Sequence, residues 1–350
     1  MNTPLICFYK NSWVQSSDYT KYQCQRNQNV NDFLNSVQQN FSTELKILQI
    51  DYDAFEKLIP DSKSKESHYK SPKAQVYVVH SYHLRQDSIS QSNPIKDINF
   101  KSQIEKLEFI QSIKTIKDDI FSGRFYQVNL ASYFVANSSE SSDNLFRFYS
   151  PKFNSPYSAL LPGDEFDILC FSPELFLRKT GPEIMSQPIK GTGKNYQEIL
   201  NSEKENSELS MIVDLIRNDL HLISDTPTVV RKHRAEMKLN YATHTYSEIS
   251  GMTSKRLPEI LEMMSPGGSI SGCPKLEAIQ AIHELESFKR QFYTGSIGWW
   301  KDDDFELNIA IRSILRTKDQ LYYYAGCGIV SDSDPESEWN ELLKKASALS

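Results

Sequence analysis

Cysteine is scarce in this 350-residue sequence, and the cysteines present show no pairing pattern. They stand at positions Cys7, Cys24, Cys170, Cys273 and Cys327, an odd number with no Cys-x-x-Cys pair. This spacing argues against a disulfide framework and against a structural zinc site. A reducing compartment, the cytoplasm, is therefore the expected location.

Long apolar runs and long basic runs are also missing. The only apolar run near the N-terminus, PLICF at residues 4–8, is too short for the core of a signal peptide, and nothing later approaches a membrane span. The formal net charge is -6, and no cluster of Lys or Arg would attract nucleic acid or an anionic membrane. The expected partners are therefore small molecules or other proteins.

The segment SQPIKGTGKN, residues 186–195, contains Gly-Thr-Gly-Lys but not a nucleotide-binding loop. That loop has a glycine, four residues, then Gly-Lys followed by Ser or Thr. Counting back from Gly193, the first glycine would stand at position 188, which is Pro188, and Lys194 is followed by Asn195. Nucleotide binding is therefore set aside, and Lys190 becomes the residue of interest.

The order of periodic segments predicts the fold class. A helical pattern runs through residues 103–123 and ends at Gly123, another covers roughly 197–217, a third follows SPGGSISGCPK, and a fourth ends the chain. Strand patterns separate these helices, among them the alternating RFYQVNLASYFV (124–135) and, as one strand, FELNIAIRSILRT (305–317). Strands with polar connections such as residues 60–73 fill the first 100 residues. Runs of strands between single long helices predict an α+β protein with large mixed or antiparallel sheets flanked by helices.

Two of the predicted helices carry pairs of acids three residues apart, so each pair lies on one helix face. The pairs are Glu205 with Glu208, and Glu338 with Glu341 on the terminal helix, where Asp334 is placed to cap the first turn. A solvated surface is the simpler interpretation of either pair alone. Two such pairs favour a shared magnesium site, because magnesium takes carboxylate oxygens, waters and an anionic substrate as ligands.

Eight motifs resemble the chorismate-utilising enzymes in order and spacing: SPELFL, PIKGT, MIVDLIRNDL, GGSISGCPK, YTGSIGW, NIAIRS, AGCGIVSDSDPESEWNE and KKA. The resemblance covers residues 101–350 and implies that they form the chorismate-binding catalytic domain, with the two-layered sandwich of that family. Residues 1–100 resemble the family only loosely. They are expected to be a shortened N-terminal region packed into the same globule.

Two positions distinguish the reactions of that family. Lys190 resembles aminodeoxychorismate synthases, whereas anthranilate synthases usually have alanine there. Gln127 stands where isochorismate and salicylate synthases have a lysine that activates water. The resemblance therefore implies that Lys190 attacks the ring and that ammonia follows, giving 4-amino-4-deoxychorismate on the branch towards 4-aminobenzoate and folate.

The resemblance also implies a role for each site residue. Lys190 would attack the ring, Glu174 would move protons, and His244 would lie over the ring and donate towards the departing oxygen. The implied substrate-binding residues are Gln127, Thr192, Tyr293, Arg312, Gly328 and Lys345. The implied cofactor is Mg²⁺, with Glu208 and Glu341 as direct ligands and Glu205 and Glu338 orienting waters. Without the motifs, Glu174 and Lys190 would be interpreted as a structural ion pair.

The implied ammonia source is a separate glutamine amidotransferase subunit, because the chain lacks the Gly-x-Cys-x-Gly elbow of such domains. Two alternatives remain: anthranilate synthase component I activity, and a catalytically silent chorismate-binding subunit. The intact set of Lys190, Glu174, Glu208 and Glu341 counts against the silent subunit. Cys327 departs from the family's usual glycine and is expected to lie where backbone approaches the substrate.

Overall fold

The computed structural model describes residues 3–55, 65, 67, 69–85, 92–95, 98–193, 195–240, 242–347 and 349. Of the loop predicted at residues 60–73, positions 60–64, 66 and 68 lie outside the described residues. The helices are α1 (Val30–Asn40), α2 (Lys106–Phe121), α3 (Ser142–Phe153), α4 (Tyr196–Leu200), α5 (Glu203–Ile223), α6 (Leu257–Met264), α7 (Lys275–Leu285) and α8 (Pro335–Ser347). Within the described ranges, no helix is both long enough and apolar enough to cross a membrane.

The strands alternate with these helices along the chain. They are β1 (Leu5–Tyr9), β2 (Ser12–Cys24), β3 (Leu45–Ile50), β4 (Ala74–Arg85), β5 (Lys101–Ser102), β6 (Gln127–Asn137), β7 (Tyr157–Leu161), β8 (Asp167–Ser172), β9 (Leu175–Thr180), β10 (Glu183–Gln187), β11 (Ile189–Gly193), β12 (Val229–Lys238), β13 (Thr243–Met252), β14 (Gly272–Cys273), β15 (Ser296–Lys301), β16 (Asp304–Ile309), β17 (Ser313–Arg316) and β18 (Gln320–Ile329). A short 3₁₀ turn, Gly268–Ile270, precedes β14.

Antiparallel pairing joins these strands into one hydrogen-bonded network. The longest regular ladder in it is β18 on β6, which runs without a register shift from Gln320↔Asn137 to Ile329↔Val128. Strands of the first 100 residues belong to the same network, because β1 pairs with β7 and β3 pairs with β15. The N-terminal region therefore contributes strands to the sheet; the domain boundary at residue 100 stays a prediction.

Alternation along the strands divides the core into layers. In β8, Leu169 and Phe171 pack under α2, α3 and α8, whereas Ile168 and Cys170 face a core between the sheets. In β3, Leu48 packs under α1, α5 and α6, and its neighbour Ile47 enters the same inner core. Side chains of successive strand residues point to opposite faces, so each sheet is covered on both sides. The predicted α+β fold, a two-layered sandwich flanked by helices, is confirmed.

Three predicted elements differ from the structure. The helix predicted at roughly 197–217 is two helices, because the Ser202 side chain accepts a hydrogen bond from the Glu205 N–H (3.3 Å) and starts α5 anew. The first 100 residues contain α1 as well as strands. FELNIAIRSILRT is two strands, because Arg312 adopts a left-handed backbone (φ +51°) between β16 and β17.

The start of the terminal helix agrees with the prediction. The backbone N–H of Ser337 donates to Asp334 Oδ1 at 2.9 Å, which satisfies one of the unpaired donors of the first turn of α8. Pro335 occupies the first position, where its missing N–H costs nothing. This cap fixes the face on which Glu338 and Glu341 lie.

Candidate active site

Lys190 lies on β11, beside an irregularity in its pairing with β13. The register shifts between Lys190 and Thr192, and Gly191 between them has φ +77°. A bulge of this kind bends the strand and re-aims its side chains. A Cβ atom placed on Gly328 of β18 would lie 3.4 Å from Lys190 Nζ and 2.6 Å from Gln127 Nε2. Gly328 is therefore the point at which Lys190 and Gln127 come together, and glycine leaves room for them there.

Gln127 is fully buried at the start of β6. Neither its amide nitrogen nor its carbonyl oxygen has a hydrogen-bond partner among the described residues. An unpaired buried polar atom costs about 1–3 kcal/mol, so native structures rarely keep two on one side chain without a reason. The amide beside Lys190 and Gly328 therefore offers a donor and an acceptor to a bound ligand.

Glu174 follows β8 and is almost completely buried, with 6% of its surface exposed. Burial raises the pKa of its carboxyl group to about 7, and three interactions oppose that rise: a hydrogen bond from Ser269, the charge of Lys190 and a backbone hydrogen bond from Ile189. Ser269 Oγ donates to Glu174 Oε1 at 2.7 Å. A carboxyl group with this pKa can accept or donate a proton near neutral pH.

His244 lies on β13 opposite Thr192, and is buried. Its Nδ1 is 3.2 Å from the carbonyl oxygen of Gly191 and 3.0 Å from Thr192 Oγ1. Because a carbonyl oxygen only accepts, the contact with Gly191 places a proton on Nδ1. Burial lowers the pKa of His244 to about 4, so the ring is neutral near pH 7 and its Nε2 is an acceptor. The predicted donation from this ring would need the other tautomer or the protonated form.

The four predicted metal ligands lie on two helices, α5 and α8. On α5, Glu205 and Glu208 are half-buried, and a Cβ atom on Gly191 would lie 3.4 Å from Glu205 Oε2. On α8, Glu338 is buried and accepts a hydrogen bond from Ser333 Oγ at 2.8 Å. Glu341 forms an ion pair with Lys345 (2.7 Å).

These carboxylates are the kind of donor that magnesium prefers. Among the described residues, one group of three possible ligand atoms lies within 4.8 Å of one another, formed by Cys327, Glu338 and Glu341. That group takes members from β18 and α8 and none from α5. The chemistry of these carboxylates fits magnesium, and among the described residues Glu338 and Glu341 of α8 lie close enough to share an ion.

Cys327 lies on the face of β18 opposite Lys190. Gly326 and Gly328 approach Tyr293 Oη and Lys190 Nζ, whereas Cys327 Sγ lies 3.6 Å from the carbonyl oxygen of Glu338 and packs in the core under α8. The period-two alternation of β18 explains this orientation, because Gly326 and Gly328 share the opposite face of the strand. The thiol nevertheless lies within 4.8 Å of the ligand atoms of Glu338 and Glu341, two predicted metal ligands. The expectation that its side chain lies where backbone approaches the substrate therefore stays a prediction.

The remaining predicted residues surround the same region. Tyr293 is buried in the turn before β15 and stacks on Tyr324, with ring centroids 5.2 Å apart. Arg312 is half-buried, and its charge helps to lower the pKa of His244, after burial itself. Lys345 Nζ donates to the carbonyl oxygen of Gly326 at 2.7 Å. Thr192 is exposed beside His244.

Several residues next to the site had no predicted role. Ser269 holds Glu174, Asn129 Nδ2 donates to the carbonyl oxygen of Ser269 (2.7 Å), and Arg290 forms a buried ion pair with Glu286 (2.6 Å). Ser269 and Glu174 are 95 residues apart, so no local spacing links them. The only signal was that Ser269 belongs to the glycine-rich motif GGSISGCPK.

Similar proteins identify the family. Residues 14–350 match the family model described as chorismate binding enzyme. The chain is 37% identical to aminodeoxychorismate synthase component 1 of Bacillus subtilis, over 69% of this chain and 54% of the relative. It is 33% identical to anthranilate synthase component 1 of Aquifex aeolicus, over 72% of this chain and 54% of the relative. The chain thus spans about half the length of these relatives.

Solved structures share the fold. Anthranilate synthase component I from Streptococcus pneumoniae superposes with a TM-score of 0.80 at 24% identity, covering 100% of this chain and 90% of the other. The menaquinone-specific isochorismate synthase from Escherichia coli superposes with a TM-score of 0.76 at 19% identity, covering 99% of this chain and 88% of the other. The family model and the sequence relatives cover most of the chain, and the chain belongs to the chorismate-binding enzyme family.

Proposed function

We propose that the protein converts chorismate and ammonia into 4-amino-4-deoxychorismate, as aminodeoxychorismate synthase component I. The observation that carries this proposal is the meeting of Lys190 Nζ and the Gln127 amide at Gly328, beside the buried acid Glu174. The amide has no hydrogen-bond partner in the part of the chain that the structure describes. A lysine amine at this point favours covalent attack by the protein over attack by water. The 37% identity to a synthase of this kind supports the same choice.

In the proposed reaction Lys190 forms a bond to C2 of the ring, the two ring double bonds shift, and the bond from C4 to the hydroxyl oxygen breaks. Glu174 accepts the proton lost by the lysine and delivers one to the departing hydroxyl, which leaves as water. Ammonia then adds at C4, the double bonds shift back, and Lys190 is released from C2. The raised pKa of Glu174 supports both proton transfers.

Charge at the edges of the site would hold the two carboxylates of chorismate. Arg312 and Tyr293 would bind the enolpyruvyl carboxylate, because a guanidinium group makes paired directional hydrogen bonds. Lys345 would lie near the ring carboxylate, and Thr192 and the backbone at Gly328 would supply hydrogen bonds. His244, neutral and held by Gly191, would lie over the ring.

The proposal includes magnesium, held directly by Glu208 and Glu341, with Glu205 and Glu338 orienting its waters. When bound, the ion would neutralise charge on the ring carboxylate. In the described structure Lys345 pairs with Glu341. Lys345 would have to share or release that carboxylate when the ion binds.

Ammonia would come from a glutamine amidotransferase subunit acting as a partner. The product would be the precursor of 4-aminobenzoate on the branch to folate. Anthranilate synthesis is the second candidate, favoured by the 33% identity to an anthranilate synthase component. The two reactions differ in whether pyruvate is eliminated.

Product identity tests the proposal. The purified protein is incubated with chorismate, magnesium and an ammonium salt, and the products are identified by mass spectrometry. The variant Lys190→Ala is compared with Lys114→Ala, which removes an exposed lysine of α2. We expect aminodeoxychorismate from the native protein and from Lys114→Ala, and almost none from Lys190→Ala.

Other products would contradict the proposal in distinct ways. Anthranilate with pyruvate would assign the second candidate. Isochorismate would mean that Gln127 does not exclude water as the nucleophile. Unchanged chorismate, with an amidotransferase subunit also supplied, would indicate a silent binding subunit.

A further inference from the structure

A buried ion pair lies behind the site. Glu286 follows α7 and Arg290 is four residues later; their side chains are 1% and 2% exposed. Arg290 Nε donates to Glu286 Oε2 at 2.9 Å, and Arg290 Nη2 donates to Glu286 Oε1 at 2.6 Å. Removing two charges from water carries a large desolvation penalty, which is offset only where the geometry is good and the remaining donors and acceptors are used.

The remaining donors and acceptors of the pair reach the backbone of two other segments. Arg290 Nη1 donates to the carbonyl oxygen of Ile270 (3.0 Å) in the 3₁₀ turn, and Nη2 donates to that of Asn129 (2.7 Å) on β6. Glu286 Oε1 accepts from the backbone N–H of Ala131, also on β6, at 2.9 Å. The pair therefore fixes β6 and the 3₁₀ turn relative to each other.

Arg290 also begins a strained turn. Gln291 and Thr294 have left-handed backbones, with φ +50° and +60°. A β-branched residue such as Thr294 rarely adopts this conformation, which persists only where surrounding contacts impose it. The guanidinium of Arg290 lies 5.8 Å from the ring centroid of Tyr293, and Arg290 Nη1 is 3.4 Å from Thr294 Oγ1.

These three segments carry the residues that the proposed reaction uses. The 3₁₀ turn carries Ser269, which donates to Glu174, and Asn129 of β6 holds the carbonyl oxygen of Ser269. The strained turn carries Tyr293, whose hydroxyl group approaches Gly326. The Glu286–Arg290 pair thus contacts the segments that hold two residues of the proposed reaction. These are Glu174, the proposed proton-transfer group, and Tyr293, which would bind a carboxylate.

We propose that Glu286 and Arg290 are positioning residues, which hold Ser269 against Glu174 and Tyr293 against Gly326 without touching the substrate. The effect on turnover rests on the proposed function, although the effect on local structure does not. A purely structural pair would stabilise the fold and leave the geometry at Glu174 unchanged.

The test removes both charges at once, because a single substitution would leave a buried charge unpaired and could prevent folding. In the double variant E286Q/R290M, the glutamine keeps an acceptor for the N–H of Ala131. A matched control is D143N/R147M, which removes an ion pair of the same four-residue spacing at the surface of α3. Chorismate consumption is measured, so the result does not depend on which product forms.

We expect E286Q/R290M to fold and its kcat/KM to fall about 10- to 100-fold, because small displacements of reacting groups are costly, while D143N/R147M stays within about twofold of the native protein. We also expect Ser269→Ala to lower kcat/KM in the native background and to have little further effect in E286Q/R290M. The inference would be overturned if folded E286Q/R290M had the native kcat/KM. It would also be overturned if Ser269→Ala lowered kcat/KM by the same factor in E286Q/R290M as in the native protein.

Amide hydrogen exchange gives a readout independent of activity. We expect exchange at residues 268–271 and 290–294 to become at least about tenfold faster in E286Q/R290M and to be unchanged in D143N/R147M. Equal exchange in the two variants would refute the positioning role even if the native protein consumes no chorismate. If E286Q/R290M does not fold, Arg290→Lys replaces it in the kinetic and the exchange measurements. Lysine keeps the positive charge but lacks the forked set of N–H donors of arginine. A native kcat/KM and native exchange rates in Arg290→Lys would also refute the positioning role.

Discussion

Glu174→Gln should change the pH dependence of stability in a defined direction. Burial raises the pKa of Glu174 from 4.5 to about 7 in the folded state, so between these values the folded protein binds more protons than the unfolded chain. Stability contributed by such a group is present at low pH and is lost as pH rises through 7. Glutamine does not titrate, so the substitution removes this contribution.

The magnitude follows from the two pKa values. One pH unit corresponds to about 1.4 kcal/mol per proton, and the interval between pH 5 and pH 8 includes most of the difference between 4.5 and about 7. The free energy of unfolding of the native protein minus that of Glu174→Gln should therefore be greater at pH 5 than at pH 8, by about 2–3 kcal/mol.

His244 provides a control of opposite sign. Burial lowers its pKa from 6.5 to about 4, so its contribution is present at high pH and is lost as pH falls. The same difference for His244→Asn should be smaller at pH 5 than at pH 8, by about 2 kcal/mol. In the native protein the two effects nearly cancel, so only the variants reveal them.

Urea unfolding at pH 5 and pH 8, followed by circular dichroism, measures these differences for the three proteins. Equal differences at the two pH values for Glu174→Gln would refute the argument that burial holds this carboxyl group protonated. Changes of the same sign for the two variants would show that a general effect of pH, and not these groups, had been measured.

Three further predictions follow from the contacts. Lys190→Ala should lower turnover by about 10³-fold, equivalent to about 4 kcal/mol of transition-state stabilisation, with chorismate affinity within about tenfold of native by equilibrium dialysis; native turnover would contradict its role as nucleophile. Asp334→Ala should lower the free energy of unfolding by about 1 kcal/mol in urea through loss of the α8 cap, and an unchanged value would contradict the cap. Cys327→Gly should destabilise the core under α8 by about 2 kcal/mol, because it removes a buried side chain; an unchanged free energy of unfolding in urea would contradict that packing.

The sequence predicts elements whose cause is local. Asp334 and Pro335 indicate the start of α8, and alternation in RFYQVNLASYFV predicts β6. Arg312 has no such local cause, because a non-glycine residue in a left-handed conformation leaves no mark in the sequence, and β16 and β17 were therefore predicted as one strand. The prediction of one helix over roughly 197–217 was wrong, because the cap at Ser202 interrupts an apolar pattern that continues across it.

The site could be predicted only where a motif carries it. Lys190 and Glu174 lie in recognisable segments, and the structure brings them within electrostatic reach of each other. The supports of the site come from pairs distant in the chain: Ser269 with Glu174, and Arg290 with Asn129, 161 residues apart. Such contacts depend on tertiary packing, which neither spacing nor composition encodes.

The burial of Glu174 connects the fold to the proposed chemistry. An exposed carboxyl group with a pKa of 4.5 would be ionised at neutral pH, would repel a substrate with two carboxylates and would rarely hold a proton for the leaving hydroxyl. A carboxyl group with no hydrogen bonds in the same cavity would stay protonated and could not accept a proton from Lys190. Burial raises the pKa, and Ser269, Lys190 and Ile189 limit the rise, so the value stays near 7. Burial in the core supplies the first effect, and the 3₁₀ turn with β11 supplies the second. The proposed proton transfer would therefore depend in part on Ser269, which acts through Glu174 and not through the substrate.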